Sequence, residues 1–459
     1  MSKTVAKYQQ YAEYKDSGVD WLGEIPSHWD FSCLKYALNK VIAGGTPEST
    51  NDAYWAESGF GIPWVSIAGI TKSFEIIKTK RDVTEVGLAV KNLQILPKGT
   101  ILYSIFASLG KVSIARVPLV TNQAILGLIP EDSKLDSKYL VYWLQAIEGN
   151  LGVFSTSNTQ DNLNAEKVGN LPLFNPPLNE QCQISNFLDH ETAQIDSLIA
   201  KQEKLIELLK EKRQAVISHA VTKGLNPDVN MKDSGVEWLG QVPEHWEVSK
   251  IQYYAKIESG HTPSKSIEKY WENCTIPWIS LNDSKQLRVV DYISDTAFEI
   301  SELGLANSSA RILPKNTVVF TRDASIGLSA ITTKEMAVSQ HLIAWLPKTE
   351  KLCPEFLLLI FYAMEKEFDR YTFGSTIKTI GMDNIRSLTA TFPSLVEQKK
   401  IVDWCFNQFK TIDKSIAKSN ALLTILRERR TALISAAVTG KIDVRNWQNP
   451  TEAKMELST

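Results

Sequence analysis

The hydrophobic and polar residues of this chain follow two kinds of pattern, and the succession of the two patterns occurs twice. Residues 15–179 and 231–396 contain short apolar runs interrupted by Gly and Pro, which is typical of mixed domains built from short strands and helices. Each stretch is followed by a long segment in which apolar residues recur every three or four positions, as in an amphipathic helix. The pattern therefore predicts an α+β protein of two tandem repeats, each a mixed α/β domain followed by a long helix.

Both mixed domains contain the same smaller elements. The stretch GTILYSIFASLGKVSIARV at 99–117 predicts two strands joined by a tip at 108–111, and NTVVFTRDASIGLSAIT at 316–332 repeats this hairpin. Residues 138–147 and 355–364 are apolar enough to form buried helices. The two domains are thus expected to share one framework.

The two long helices have matching seams. Positions spaced alternately four and three apart define the seam of the first helix, at 184, 188, 191, 195, 198, 202, 205, 209, 212 and 216. The second helix has the same spacing 217 positions later, from Ile401 to Leu433. We expect the helices to pair as an antiparallel coiled coil of roughly 60 Å, at about 1.5 Å per residue. Such pairing would return the chain to its first domain and give a pseudo-two-fold arrangement.

Local signals mark where the long helices begin and end. Ser394 and Glu397 fit a capping box at the start of the second helix. Gly224 and Gly440 follow the two helices, and glycine readily adopts the left-handed conformation that closes a helix. We therefore expect each helix to stop at its glycine.

The repeat is also visible as a repeated phrase. KDSGVDWLGEIPSHW at 15–29 returns as KDSGVEWLGQVPEHW at 232–246, with eleven of fifteen positions identical. The agreement continues through TPESTNDAYW and TPSKSIEKYW, GIPWVSI and TIPWISL, and LPKGT and LPKNT. Because Glu24 becomes Gln241 while the apolar and turn-forming residues are kept, we interpret the phrase as a strap that starts each domain and seats it against a helix end.

These observations divide the chain into six segments. A chain of 459 residues exceeds the size of one compact core, in agreement with two domains. The expected segments are an N-terminal segment at 1–14, a first domain at 15–179, a long helix with its linker at 180–230, a second domain at 231–396, a second long helix at 397–445 and a flexible C-terminal tail at 446–459.

Composition narrows the class of protein. With 43% hydrophobic residues and no apolar run that approaches eighteen residues, the chain is expected to be soluble, cytoplasmic and without a membrane segment. Fifty basic and 52 acidic residues give a net charge of −2, so any surface for nucleic acid must be local or shared with a partner. The five cysteines stand far apart and predict free, mostly buried thiols and no metal site.

Two motifs resemble parts of catalytic sites. NPPL at 175–178 resembles the Asn-Pro-Pro-aromatic motif of amino-methyltransferases, but Leu178 offers no ring to stack on a flipped base. The second repeat has Phe-Pro-Ser-Leu at 392–395, so we interpret both segments as the proline stop before a helix. ESGFGIP at 57–63 contains only Gly-x-Gly, and phosphate-loop, serine-hydrolase and zincin motifs do not occur. The sequence therefore predicts neither catalysis nor a cofactor.

The order of the repeated elements and their sequence motifs resemble those of the specificity (S) subunit of type I restriction-modification enzymes. The resemblance covers residues 14–445 and rests on the repeated phrase, on GGTP at 44–47 and GHTP at 260–263, on the IPW triplets and on the Glu-Gln pairs that begin the long helices. It implies a non-catalytic subunit in which each mixed domain is a target-recognition domain for one half of a bipartite site in double-stranded DNA. The helices would set the spacing and bind two DNA methyltransferase (M) subunits, and restriction or translocase (R) subunits would complete the complex.

The family pattern also indicates which residues contact DNA. They lie at the hairpin tips and in the loops that follow, namely Ser104, Ser108, Lys111, Asn122, Gln123, Thr159 and Gln160 in the first domain and Arg322, Asp323, Ser325, Gln340, His341, Ser375 and Lys378 in the second. Arg suits guanine, Asn and Gln suit adenine, and Lys and Ser suit phosphates. The Arg-Gly-like pair of the family is matched in part by Arg322-Asp323 and not by Ile105-Phe106. Two alternatives to DNA contact stay open. Arg322 could only form an ion pair with Asp323, and Gln123 and Gln340 could hydrogen-bond within the core.

Two other functions stay open from the sequence. One is a self-contained adenine-N6 DNA methyltransferase with two recognition domains, which binding of S-adenosylmethionine by the isolated chain would reveal. The other is a scaffold or carbohydrate-binding protein that uses its twelve Trp. Trp55 and Trp64 recur as Trp271 and Trp278 beside Pro or Tyr, which favours core packing over an exposed sugar platform.

Overall fold

The computed structural model describes residues 8–19, 22–106, 108–154, 163–373 and 378–450. The described residues divide into two compact units, one drawn from 1–202 and 421–459 and the other from 203–420. Each unit therefore contains one mixed domain, the first half of the long helix that follows it, and the second half of the other long helix.

The first unit is built around two sheets. Its strands are β1 (Tyr14–Asp16), β2 (Glu24–Pro26), β3 (Asp30–Cys33), β4 (Leu38–Ala43), β5 (Trp55–Glu57), β6 (Ile62–Val65), β7 (Glu75–Ile76), β8 (Arg81–Val83), β9 (Ile101–Ser104), β10 (Val112–Ala115), β11 (Val120–Thr121), β12 (Ile125–Pro130) and β13 (Pro172–Asn175). Short helices α1 (Ile67–Lys72), α2 (Glu85–Lys91), α3 (Ser137–Ile147) and α4 (Ala165–Gly169) precede the long helix α5 (Leu178–Lys223). One sheet has the order β4-β12-β9-β10-β7 and the other β11-β6-β8-β5.

The second unit repeats this plan. Its strands are β14 (Met231–Asp233), β15 (Gln241–Pro243), β16 (Glu247–Lys250), β17 (Ala255–Ser259), β18 (Ile276–Ile279), β19 (Tyr292–Ile293), β20 (Phe298–Ile300), β21 (Val318–Thr321), β22 (Ser329–Thr332), β23 (Ala337–Val338), β24 (Leu342–Pro347), β25 (Thr372–Phe373), β26 (Thr379–Ile380) and β27 (Thr389–Phe392). Its helices are α6 (Ser284–Leu287), α7 (Glu302–Ala306), α8 (Pro354–Ala363), α9 (Met382–Ser387) and the long α10 (Leu395–Val438). The sheet β17-β24-β21-β22-β19 has the same order as its counterpart in the first unit.

The predicted hairpins and buried helices are confirmed. Strands β9 and β10 pair antiparallel, as do β21 and β22, and the predicted tips lie between them. Helices α3 and α8 bury most of their apolar side chains, including Trp143 and Phe361. Burial of such a ring stabilises the fold by roughly 2 to 3 kcal/mol. The core of each unit thus holds the hairpin strands in place.

Halves of the two long helices pack together inside the first unit. Ile184, Leu188 and Ile195 of α5 share a core with Leu426 and Leu433 of α10. The ring of Phe187 meets Trp447 at 5.6 Å, and farther along α5 Asp196 pairs with Arg430 at 2.8 Å. Because the partner number falls as the α5 number rises, the two helix halves are antiparallel within this unit.

The second unit repeats this packing with the other halves. Ile217 and Val221 of α5 lie in one core with Ile401 and Phe409 of α10. The guanidinium group of Arg213 stacks over the Phe409 ring at 4.1 Å. The first mixed domain is thus closed by a helix half distant in sequence, whereas the second is closed by the helix halves that directly precede and follow it.

The predicted seam agrees with burial at most positions of α10, although Leu422 is 40% exposed, and it is shifted along α5. The α10 positions buried as predicted include Ile401, Cys405, Ile412, Leu426 and Leu433. On α5, Leu198 and Leu205 are 47% and 41% exposed, whereas Ile199 packs against the core. A straight helix has 3.6 residues per turn, so a stripe spaced by 3.5 residues drifts away from the contact face. Pairing of the helices as a continuous coiled coil stays a prediction.

The helix ends agree with the sequence in part. Gly224 and Gly440 have φ of +76° and +71°, which confirms both as helix stops. The Ser394 hydroxyl accepts a hydrogen bond from the Glu397 amide at 3.3 Å, as one half of a capping box. The Glu397 carboxylate instead faces His245 and Trp246, so the second half of the box is replaced by a tertiary contact.

The repeated phrase is held by a glutamate at the start of each long helix. In the first unit, Trp29 Nε1 donates to Glu180 Oε1 at 3.0 Å, and His28 Nε2 lies 2.9 Å from Glu180 Oε2. Trp246 and His245 repeat these contacts with Glu397 at 3.0 and 3.1 Å. The interpretation of the phrase as a strap seated on a helix end is therefore confirmed.

Buried Tyr11 adds a third donor to the first strap. Its hydroxyl donates to Glu180 Oε1 at 2.6 Å. Burial is the main cause that raises the pKa of Tyr11 well above its usual value, and the hydrogen bond to Glu180 raises it further. The phenol therefore remains a donor at neutral pH. The buried carboxylate of Glu180 is thus surrounded by hydrogen-bond donors.

The glutamine after each anchoring glutamate fixes the start of the helix. Gln181 Nε2 donates to the carbonyl of Pro176 at 3.0 Å, and Gln398 Nε2 donates to that of Pro393 at 2.9 Å. Asn175 uses its amide to bond the Ser32 hydroxyl at 2.7 Å. NPPL therefore leads into the start of a helix, as the sequence predicts.

Two expectations, one about the C-terminal tail and one about the cysteines, need correction. Trp447, assigned to a flexible tail, packs on Phe187 and His190 because these side chains leave an apolar surface at the start of α5. All five cysteines are free, but they are not mostly buried, since Cys405 alone is buried, Cys182 is exposed and the other three are intermediate. Burial raises the pKa of Cys405 to about 12, so that thiol stays protonated.

Candidate nucleic-acid interface

A glycine loop lies beside the turn that follows the hairpin in each unit. A Cβ atom on Gly44 would lie 2.2 Å from the carbonyl oxygen of Asn122, and one on Gly260 would lie 1.9 Å from that of Val338. Real Cβ atoms do not approach so closely, so only glycine permits this contact. The GGTP and GHTP motifs are thus explained by the close approach of two backbones.

The close approach brings a threonine to the glutamine singled out in each repeat. Thr46 Oγ1 donates to Gln123 Oε1 at 2.5 Å. Thr262 Oγ1 donates to Gln340 Oε1 in the same way. Both glutamines are exposed rather than held within the core.

The paired tryptophans brace this loop. Trp64 Nε1 donates to the Gly45 carbonyl at 3.0 Å, and Trp278 Nε1 donates to the His261 carbonyl at 3.1 Å. Trp55 packs edge-on against Trp64, with the ring centroids 5.0 Å apart. Their indole N–H groups are thus spent on loop carbonyls, which favours a structural role over a sugar platform.

The hairpin tip of the first unit is held mainly by its own turn. Ser104 is fully buried, and its hydroxyl accepts from the Lys111 amide at 2.8 Å while donating to the Ser108 carbonyl. Ser104 therefore stabilises the turn, and its prediction as a DNA contact is wrong because the side chain has no exposed surface. Lys111 Nζ pairs with Glu148 Oε1 at 2.5 Å and is partly exposed.

The hairpin tip of the second unit carries a polar network. Asp323 Oδ2 lies 2.7 Å from His341 Nδ1, and its other oxygen accepts from the Thr379 hydroxyl. Gln340 Nε2 lies 3.3 Å from His341 Nε2. Together with the bond from Thr262, these contacts form one chain of hydrogen bonds across the tip.

Arg322 and Ser325 lie beside this network. The Arg322 side chain is 22% exposed, and its Nε lies 3.8 Å from Asp323, too far for a hydrogen bond. The buried Nε finds no hydrogen-bond partner among the described residues. Ser325 Oγ accepts from Arg288 at 3.0 Å. Arg322 is thus only loosely paired, and its guanidinium group keeps donors for a ligand.

The remaining predicted residues lie at the edge of the interface or outside the described chain. Lys378 is exposed beside Asp369 at 3.3 Å, and its carbonyl accepts from the Ala324 amide. Asn122 Oδ1 accepts from the Ala124 amide at 3.2 Å and so supports its own turn. Thr159, Gln160 and Ser375 lie outside the described residues.

The structure also brings to the tips residues that were not predicted from the sequence. Thr46 and Thr262 belong to the repeated Gly-x-Thr-Pro motif, so their recurrence was a usable signal. Arg288 and Thr379 carry no such signal, because each reaches the tip from a distant segment.

The two tips therefore present different chemistry on one framework. Phe106 and Ala124 occupy the positions of Asp323 and His341, and buried Ile105 occupies that of Arg322. The second tip offers several donors and acceptors that suit the edges of base pairs, whereas the first offers mainly Gln123 and Lys111.

We searched the described part of the chain for a metal site and for a membrane-spanning helix. This part of the chain brings together no group of three or more His, Cys, Asp or Glu residues that could hold a metal ion. Among the same residues, no helix is both long and apolar enough to cross a membrane.

Comparison with known proteins identifies the repeated domain. The family described as "Type I restriction modification DNA specificity domain" matches residues 26–208 and again residues 243–424. The type I restriction enzyme MjaIX specificity subunit of Methanocaldococcus jannaschii is 24% identical over 459 residues, which covers 96% of this chain and 99% of that protein. The EcoR124I/EcoR124II specificity subunit of Escherichia coli is 24% identical over 311 residues, or 65% of this chain and 70% of that one.

Solved structures share the fold. A chain from a study of complex assembly and conformational transition of the type I R-M system aligns with a TM-score of 0.71 and 15% identity, covering 91% of this chain and 99% of that one. The HsdS subunit of Thermoanaerobacter tengcongensis aligns with a TM-score of 0.51 and 14% identity, covering 91% and 98%. At such identities the likeness concerns the fold alone.

Proposed function

Since the chain belongs to the type I restriction modification DNA specificity domain family, we propose that it recognises a bipartite DNA site, with one half-site for each unit. The relatives that match most of its length are named specificity subunits, and the chain is accordingly a recognition subunit rather than a catalytic one. The alternative of a self-contained methyltransferase finds no support among these relatives.

The duplicated glutamine site is the observation that carries this proposal. Each unit places an exposed Gln beside a hairpin tip and holds it with a threonine from the glycine loop. Gln side chains read bases in the major groove, whereas neighbouring Lys side chains hold phosphates. Two such sites in one chain suit a target with two separate parts.

We further propose that the long helices bind two DNA methyltransferase subunits. Several apolar side chains of α5 and α10 are exposed, namely Leu198, Leu205, Leu208, Leu422 and Ile425. Exposed apolar residues on a helix favour contact with another protein. The partner subunits would flip and methylate an adenine in each half-site, and restriction subunits would join the complex in the prokaryotic cytoplasm.

The test is methylome sequencing of cells with and without this gene. We expect a bipartite methylated motif that disappears on deletion and returns when the gene is restored. An exchange of residues 231–396 for those of a relative should change only one half of the motif. An unchanged methylome after deletion would contradict the proposal.

A further inference from the structure

We infer that the second unit recognises an adenine through Gln340, and that three neighbouring side chains hold its amide in one orientation. These are Thr262, His341 and Asp323, which act as positioning residues. The inference rests on the proposed function and names the base that one residue of that interface reads.

The orientation originates at Asp323. A carboxylate accepts hydrogen bonds and does not donate them. Its Oδ2 lies 2.7 Å from His341 Nδ1, and its Oδ1 is occupied by the Thr379 hydroxyl. His341 Nδ1 must therefore carry a proton, and in neutral histidine the opposite nitrogen, Nε2, is then an acceptor.

His341 transmits this constraint to Gln340. The acceptor Nε2 of His341 lies 3.3 Å from Gln340 Nε2, so the NH2 side of the amide must face the imidazole. On the other side the Thr262 hydroxyl donates to Gln340 Oε1. A reversed amide would place its oxygen against an acceptor, which is repulsive.

A glutamine held in this way matches one base. Each amide group has capacity for a second hydrogen bond, so Gln340 retains one N–H donor and one carbonyl lone pair. In the major groove adenine presents the N7 acceptor beside the N6 donor, guanine presents two acceptors, cytosine one donor and thymine one acceptor. Only adenine satisfies both groups of the amide.

Gln123 of the first unit lacks the second constraint. Its Oε1 accepts from Thr46 at 2.5 Å, but Ala124 and Phe106 stand where the second unit has His341 and Asp323. A hydroxyl can accept as well as donate, so Thr46 supports either orientation of the amide. We therefore expect Gln123 to discriminate less strongly between adenine and guanine.

The test is competition binding by the full chain assembled with its methyltransferase subunits, on duplexes that carry its mapped site. Each base pair of the second half-site is replaced in turn, and each adenine is also replaced by 7-deazaadenine, which pairs normally but lacks the N7 acceptor. In Gln340→Ala, sensitivity to 7-deazaadenine should disappear at one adenine. His341→Ala, which copies Ala124, should lower the preference for adenine over guanine there on the order of tenfold.

Matched variants separate positioning from general damage. Thr262→Val keeps the side-chain shape and should also lower the adenine preference, whereas Thr46→Val should leave the second half-site unchanged. Unchanged discrimination at the first half-site in His341→Ala shows that the variant is folded and assembled.

Two results would overturn the inference. One is an unchanged adenine preference in both His341→Ala and Thr262→Val. The other is a Gln340→Ala effect that falls on a base other than adenine, or on none. If the wild-type complex binds no bipartite site, the proposed function fails instead, and the two failures are thus distinguishable.

Discussion

The two repeats agree where side chains hold the framework and differ at the hairpin tips. Glu180 and Glu397 each bind the His-Trp pair of the strap in their own unit. At the hairpin tip, by contrast, the Asp323 and His341 positions of the second unit are Phe106 and Ala124 in the first. Framework residues satisfy buried partners in both units, whereas the tip positions pack on the core in the first unit and form polar contacts in the second. The difference indicates that one platform can carry two distinct recognition surfaces.

The largest effect is expected at the shared strap, where Glu180→Ala should destabilise more than Glu397→Ala. The Glu180 side chain is 4% exposed and serves three donors, so its loss should cost about 3 kcal/mol. Glu397 is 30% exposed, and water can replace it, which suggests a cost of about 1 kcal/mol. Denaturant unfolding followed by tryptophan fluorescence measures both. Equal losses would show that the two anchors are energetically equivalent.

The shared glycine loop should be nearly as sensitive. Alanine at Gly44 or Gly260 would place a Cβ against a backbone carbonyl that cannot move freely, at a cost of about 2 kcal/mol. Each variant should weaken DNA binding at its own half-site alone. Gly149→Ala is a control, since nothing lies within 4 Å of its added Cβ. If one variant weakened binding at both half-sites, the two glycine loops would not act independently.

A third comparison concerns the divergent tips. Arg322→Ala should cost about 1 to 3 kcal/mol in DNA binding and relax one base position, because a loosely paired guanidinium group is lost. Ile105→Ala removes a buried side chain and should lower the free energy of unfolding without changing base preference. Competition binding and unfolding of the two variants test this contrast. An unchanged base preference in Arg322→Ala would make that residue structural.

The smallest effect is expected for the lysines beside the tips. Lys378→Ala should weaken binding to all sequences alike and reduce the salt slope by about 1, as for loss of one phosphate contact. Lys111→Ala should have a smaller effect, because its ammonium group is paired with Glu148 at 2.5 Å. Titrations at several salt concentrations measure both slopes. A base-dependent effect would instead place the lysine at a base edge.

Parts of the fold were predictable because their signals are local. The hairpins, helices α3 and α8 and the glycine stops each depend on a short stretch of residues, and all are confirmed. The capping box was half right, because Glu397 prefers the strap to its own helix end. The seam of α5 was shifted, since sequence spacing does not reveal which side of a drifting stripe meets a partner.

The duplication and the α+β class are readable from the amino-acid sequence, because repeats and periodicity depend on neighbouring residues. Which polar side chains meet at the tips depends instead on how distant loops pack. Thr262 and Gln340 are separated by 78 positions, and Asp323 and Thr379 by 56. Bonds between such distant residues leave no periodic trace and depend on how the loops pack. The same packing buried Ser104 and left Gln340 exposed, although the sequence presented both as equal candidates.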